Sequence, residues 1–339
     1  MPLAAETVRV ATYNVELYRK GPGLMLRDIL RGDPQAEAAA RVIAHVGPDV
    51  VVLQGVDYDA EHHGAGALRD LIAEAGLHYP HIFALLPSTG MPTGQDMNGD
   101  GRTGGPADAQ GFGYFSGQRG MVVLSRWQID TDAVQDFSDL LWRDLPGATL
   151  PSLDNKPFPS EQAQAIQRLS STGHWIVPIT LPNAPPMTLM AFSATPPVFD
   201  GPEDRNGLRN ADEIRLWARV LDGQLGDAPT KRFFILGDGN LDPIKGQGRH
   251  AAIKTLLVHS QLQDSQPAST AGGADTVDWP DPSPGDMRVD YVLPSADWTV
   301  QKSGVFWPAP DEYLAEDVAQ ASRHRLVWVD VSVMESPDF

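Results

Sequence analysis

The chain has no cysteine among its 339 residues, which excludes disulfides, thiolate zinc sites and cysteine nucleophiles. No apolar stretch approaches the ~18–20 residues that a membrane-spanning helix needs. Positive charge is scarce: 26 Lys and Arg stand against 44 Asp and Glu, a formal net charge of −18. Proteins that grip nucleic acid by its backbone gain most of their affinity from Lys and Arg neutralising phosphates. The balance therefore argues against a nucleic-acid partner, and the densest basic pairs, Arg19-Lys20 and Lys231-Arg232, are short. A small phosphorylated or anionic ligand held at a local positive site remains compatible with it.

What is present describes a globular chain: 42% hydrophobic and 21% charged, with 32 Gly and 29 Pro supplying many turns. This length can bury a large core, and no repeat or linker divides it, so residues 1–339 read as a single domain. The start, MPLAAE, lacks a charged n-region and an apolar h-region. Small Ala-rich residues flank signal cleavage sites, so it reads as a mature terminus. The expected location is secreted or periplasmic, with the cytoplasm as the alternative.

Residues 8–14 (VRVATYN) alternate like a strand, and residues 49–54 (DVVVLQ) form a β-branched run of the kind buried on both faces. Further strands are expected at 120–126, 188–193, 232–238, 288–293 and 326–331. Helical spacing appears at 35–46, stopped by Gly47-Pro48, and at 210–221. Many short strands with few helices suggest two packed sheets with helices outside. Residues 87–118 and 145–160 are too long for plain connections.

Candidate chemistry collects at strand ends. In ILGDGNLDP an apolar strand runs into Asp238 and Asn240, two residues apart and so facing one way. Such oxygen groups suit hard cations and phosphate. Asp290 interrupts an apolar strand, RVDYVL, where a carboxylate is costly unless paired. Thr12-Tyr13-Asn14 closes the first strand, Gly55-Val56-Asp57 follows the second, and Ser322-Arg323-His324 precedes the last.

In this order the five segments resemble the endonuclease/exonuclease/phosphatase superfamily, whose fold is α/β, a four-layer αββα sandwich of two mixed sheets with helices outside. The likeness runs from Val8 to Val331. Residues 195–207, 96–113 and 303–309 look like a bacterial, often exported branch. The resemblance implies that Asn14 bonds near a phosphate, Asp238 orients the attacking water and Asn240 binds phosphate. It implies that Asp290 orients an active-site residue and that His324 contacts the phosphate, with magnesium or manganese in the cleft.

Three positions depart from that pattern. Gly55 stands where a metal-binding Glu belongs, Ser193 where a catalytic His belongs, and Arg323 where an acid precedes the final His. Asp57, two residues past Gly55, is a partial substitute if the strand continues. Arg323 repels a cation, but its guanidinium fork suits phosphate or carboxylate. Arg205 and Asn206 are expected to face the cleft as substrate contacts; the alternative is capping of the helix near Asn210. The leading expectation is a family-fold protein with reduced or lost standard activity that binds a ligand or partner in the cleft. The alternative is an active metal-dependent phosphoesterase using Asp57, Asp238, Asn240, Asp290 and His324. A third reading makes Ser193 a nucleophile, but no G-x-S-x-G elbow surrounds it.

Separately, DMNGDGR matches the start of a calcium loop, with candidate ligands Asp96, Asn98, Asp100 and Arg102. The position that should supply a closing Glu is Ala107, and Asp108 follows it as the candidate to close the shell. Calcium there would order a long loop without doing chemistry. His62, His63, His81 and His174 lack metal-ligand spacing and read as surface or core residues.

Overall fold

The computed structural model describes residues 6–182 and 184–333. Residues 1–5, most of the segment read as a mature terminus, lie outside them. The first part of the chain holds β1 (Glu6–Asn14), α1 (Leu24–Ile29), α2 (Pro34–Val46), β2 (Val50–Val56), α3 (His63–Glu74), β3 (His81–Phe83) and β4 (Gly120–Ser125). The middle holds β5 (Gln135–Asp136), β6 (Ser152–Leu153), β7 (Lys156–Pro157), α4 (Glu161–Ile166), β8 (Gly173–Ile179), β9 (Met187–Ser193) and α5 (Arg205–Leu221). The last part holds β10 (Phe233–Asp238), α6 (Ala251–Leu257), β11 (Asp290–Pro294), β12 (Thr299–Phe306), α7 (Ala315–Ala321) and β13 (Leu326–Val333).

Eleven of these strands form two mixed sheets, six in the order β12-β13-β1-β2-β4-β3 and five in the order β11-β10-β9-β8-β5, while β6 and β7 pair only with each other. Side chains alternate between faces along each strand. Val8 and Val10 of β1, Val50 and Val52 of β2, Trp175 and Val177 of β8, and Phe234 and Leu236 of β10 all point into the core between the sheets. The opposite rows pack under helices. Ala11, Tyr13 and Leu53 meet α2 and α3, while Ile235 and Phe192 meet Trp217 of α5 and Ile253 of α6. The order of layers is thus helices, sheet, sheet, helices, as expected.

Local sequence explains the elements that frame this. Helix α2 starts because the Asp33 side chain accepts from the amides of Gln35 and Ala36 and Pro34 presets the first turn. Seven of its residues, mostly alanines, are buried, so the helix lies close on the sheet. Helix α5 begins at Arg205, five residues before the expected 210, and runs to Leu221. The polar face that hid this start is itself buried: Arg209, Asn210, Asp212 and Glu213 all sit inside, bonded to loop backbone. Strand β8, helix α3 and strand β12 were not expected from the pattern. The long segments at 87–118 and 145–160 are mainly irregular, as anticipated.

Register brings the strand ends to one edge. Strands β1 and β2 are parallel, with Asn14 beside Gln54, and β9 and β10 are parallel, with Asp238 beside Ser193. The antiparallel neighbour β11 places Asp290 opposite Asp238. One close approach makes this possible: Gly237 has φ 146°, and a Cβ there would lie 1.9 Å from the Phe192 carbonyl oxygen. We predict that Gly237→Ala lowers unfolding stability by about 3 kcal/mol or more, measured by urea denaturation. A loss below about 1 kcal/mol would contradict the packing described.

Candidate functional site

At that edge the inward rows end in polar residues. Asn14 ends the row of Val8 and Val10, Asp238 ends the row of Phe234 and Leu236, and Asp290 begins the row of Val292. The two sheets face each other, so these side chains meet. Asn14 Nδ2 donates to Asp238 Oδ2 at 2.9 Å and lies 3.5 Å from His324 Nε2. Asn240 donates its backbone N–H to Asp238 Oδ1 and its side-chain amide to Asp238 Oδ2, both at 2.9 Å. His324 Nδ1 is 2.9 Å from Asp290 Oδ2, which also accepts from the Thr276 hydroxyl at 2.9 Å.

Asp238, Asp290 and His324 are all buried, and each offers an atom within 4.8 Å of the others. Burial works against charge on His324, but Asp290 and Asp238 outweigh it and hold the imidazole up at about 9. Burial raises the Asp238 carboxyl, His324 opposes the rise and Asp290 adds to it, leaving it at about 7. The cation at the centre of this cluster is therefore the imidazolium itself at neutral pH.

Beside it lies a second charged pair that the sequence did not disclose. Glu16 lies two residues beyond Asn14 and takes the Arg323 guanidinium through Nε at 3.1 Å and through Nη2. It also accepts from the Arg323 backbone N–H at 3.0 Å and the Ser322 hydroxyl at 3.2 Å. Burial pushes the Glu16 carboxyl up, yet the Arg323 hydrogen bonds and His324 prevail and hold it below the usual range. Strand periodicity does not reach Glu16, which lies past the end of β1 at φ 48°.

Gly55 cannot be a simple loss of a side chain. Its φ is 72°, and a Cβ would lie 2.7 Å from Asn14 Oδ1 and 2.9 Å from the Glu16 amide nitrogen. The backbone there bulges between Gln54 and Val56. Asp57 is not brought to the cluster. Its two oxygens accept from the Arg19 amide at 2.8 Å and the Arg119 amide at 3.1 Å, and burial pushes its carboxyl up to about 6 against those bonds. The strand does not continue past Val56, which is why the expected two-residue repeat fails.

Arg205 and Asn206 also turn away. Arg205 donates to the Met97 carbonyl, and Asn206 donates its side chain to Val198 O at 2.7 Å and its backbone N–H to Asp200 at 2.6 Å. Both sit in the first turn of α5 and hold loops instead of facing the cleft. Asn210 ties the carbonyls of Thr195 and Gly239 at 2.7 and 2.8 Å. Ser193 lines the cleft but hydrogen-bonds no general base among the described residues. His174 is buried against Ser170 and the Glu213 carbonyl, and burial pushes it down to about 3.

In the 96–108 segment, Asp96 accepts from the amides of Gly99 and Gly101 at 2.6 and 2.8 Å, and Asp100 accepts from the Arg102 amide at 2.8 Å. The Asn98 and Asp100 side chains lie 3.3 Å apart. Asp108 is buried, with its oxygens taken by the amides of Met97 at 3.0 Å and Gly105 at 2.8 Å, so it is committed to the loop backbone.

Over the polar floor opens a cleft of about 550 Å³ whose upper wall includes Pro197, Phe199, Trp279 and Met287. A family model described as Endonuclease/Exonuclease/phosphatase family matches residues 11–324. The chain belongs to that family. Among solved structures, a family protein from Beutenbergia cavernae is similar at 20% identity and a TM-score of 0.58, covering 96% of this chain and 72% of that one. A family protein from Leptotrichia buccalis is similar at 16% identity and a TM-score of 0.53, covering 96% and 99%. Sphingomyelinase C from Streptomyces griseocarneus is similar at 18% identity and a TM-score of 0.50, also covering 96% and 99%. No curated protein matches the chain. At these identities the structures show the endonuclease/exonuclease/phosphatase fold alone.

A magnesium or manganese ion asks for several free oxygen ligands in near-octahedral array. Asp238, Asp290 and His324 each bring one atom close enough to share an ion, and Asp290 Oδ1 is buried without a partner among the described residues. Glu16, however, is committed to Arg323 and Gly55 offers no side chain, so the oxygen set is short of what such an ion prefers.

The His324 geometry has a direct check. In ¹⁵N NMR the imidazole should titrate near pH 9, and Asp290→Asn should lower that midpoint by about 1–3 units. Because the folded value lies above the ordinary 6.5, this stabilisation is fully present below pH 6.5 and is lost as pH rises through about 9. A midpoint near 6.5 in both proteins would contradict the ion pair.

Proposed function

We propose that the cleft binds a small phosphorylated or otherwise anionic ligand and that standard metal-dependent phosphoester hydrolysis is reduced or lost. The observation that carries this reading is the Glu16–Arg323 ion pair beside an assembled Asn14, Asp238, Asn240, Asp290 and His324 group. The phosphate-facing groups converge, while the neighbouring carboxylate that could serve a metal is bonded to a guanidinium. One observation favours residual hydrolysis as a second reading. Asp238, held up near 7, is suited to take or return a proton at neutral pH, and a positioned acid or base contributes about 10²–10⁴-fold.

Turnover of bis- and mono-p-nitrophenyl phosphate separates the two. With Mg²⁺, Mn²⁺, Ca²⁺ or EDTA the rates should stay near background. Robust turnover that Asp238→Ala abolishes would sink the first reading and favour the second.

For residues 96–108 the proposed occupant is calcium, held by Asp96, Asn98 and Asp100 with the Arg102 carbonyl, and its effect is to order the long irregular segment. Support comes from the alternating oxygen groups turned onto one stretch of loop amides. Asp108, whose oxygens hold the amides of Met97 and Gly105 much as those of Asp96 hold Gly99 and Gly101, is the candidate to close the shell. The melting temperature should fall with EGTA and recover with added Ca²⁺; a melting temperature indifferent to chelator removes the proposal.

A further inference from the structure

The cleft contains a second guanidinium besides Arg323. Arg119 precedes β4 and lines the cleft with Glu16, Tyr18, Arg323 and His324. Its backbone is held at φ 53°, an unfavourable left-handed conformation for a side chain of this size. Asp57 enforces it, since one carboxylate binds the amides of Arg119 and Arg19 together. The Arg119 guanidinium stacks on the Tyr18 ring, 3.8 Å from its centroid. Its Nε is buried and has no hydrogen-bond partner among the described residues. Nε of Arg219, Arg288 and Arg325 is left the same way, so what singles out Arg119 is its place on the cleft wall with no carboxylate paired to its guanidinium among the described residues.

Arg323 is arranged in a related way. Glu16 holds the edge formed by Nε and Nη2, while the side chain stays 57% exposed at the cleft. Nη1 forms no hydrogen bond among the described residues. His324 lines the same cleft, with Nε2 3.5 Å from the Asn14 amide nitrogen. Two guanidinium groups and an imidazole thus line one cleft, with Glu16 paired to Arg323, Asp238 holding the amides of Asn14 and Asn240, and Asp290 bonded through Oδ2 to His324.

Resting on the reading that the cleft takes an anion, we propose that Arg119, Arg323 and His324 form a clamp for the phosphoryl group of a phosphate monoester, with no divalent ion. Guanidinium forks match phosphoryl oxygens and keep their charge at any physiological pH. The clamp is therefore covalently part of the chain, and binding should not respond to metal supply.

Calorimetric titration of the full chain with phenyl phosphate tests this. Affinity should agree within about twofold in EDTA and in Mg²⁺, and Arg119→Gln and Arg323→Gln should each weaken it by about tenfold or more. Glu16→Gln, which removes the neutralising charge behind Arg323, should tighten binding. Arg323→Gln leaves the mostly buried Glu16 carboxylate without its guanidinium and Arg119→Gln loses the stack on Tyr18, so the melting temperature of each variant is measured alongside and binding is read well below it. Binding that requires Mg²⁺, or that both arginine variants retain unchanged, overturns the clamp while leaving an anion-binding cleft in place. No binding of phenyl phosphate, with or without Mg²⁺, overturns the clamp and the anion-binding reading together.

Discussion

Two sheets face each other across a core of Val, Leu, Phe and Trp, and their inward rows run out of apolar residues at the same edge. Everything chemical in this protein follows from that constraint. A side chain that ends an inward row cannot reach bulk water easily and must find partners on the facing sheet. Asn14 and Asp238 come from opposite sheets and meet at hydrogen-bonding distance for this reason. The close approach at Gly237 lets β9 and β10 keep their register to the last residue, where Ser193 and Asp238 lie side by side.

Burying several charges at one place is tolerable only where each is matched. Asp290 is matched through Oδ2 by the imidazole and by Thr276, whose hydroxyl also accepts from the Val289 and Asp290 amides, while its Oδ1 has no partner among the described residues. Glu16 is matched by Arg323. Such pairs add little net stability, because desolvation opposes the attraction, but removing one member leaves the other buried and unpaired. The cluster is thus better understood as an interdependent unit than as separate residues. Helix α5 supports it from behind: Glu213 accepts from the amides of Ser171 and Thr195, and Asn210 binds two carbonyls on either side of the cleft floor.

The layered architecture was legible because it depends on short-range pattern: β-branched runs at 49–54 and 232–238 and the alanine stripe at 35–46 each have one stable use. The strand-end residues Asn14, Asp238, Asn240, Asp290 and His324 could be named together because their segments occur in a recognisable order. What could not be read was orientation beyond the strand ends. Asp57 fails to reach the cluster because the chain leaves the sheet after Val56, and no local pattern reports that departure. Arg205 and Asn206 turn from the cleft because their side chains serve loop carbonyls, that of Met97, 108 residues away, and that of Val198, just before the helix. The Glu16–Arg323 and Asp57–Arg119 contacts join segments 307 and 62 residues apart, and only the assembled fold reveals them.

Gly55 carries a consequence for what substitutions the strand end can accept. The space that a side chain would need is filled by Asn14 Oδ1 and by the Glu16 backbone, and the residue sits at a positive φ within a bulge. A single codon change at position 55 would therefore collide with the two segments around which the site has closed. Reopening that position requires a shift of the strand end, a new direction for Glu16 and a different residue at 323, all together. Successive single steps would each pass through a less stable protein. The geometry therefore ties Gly55, Asn14, Glu16 and Arg323 into one unit, in which the glycine is required by its neighbours as much as by its own backbone.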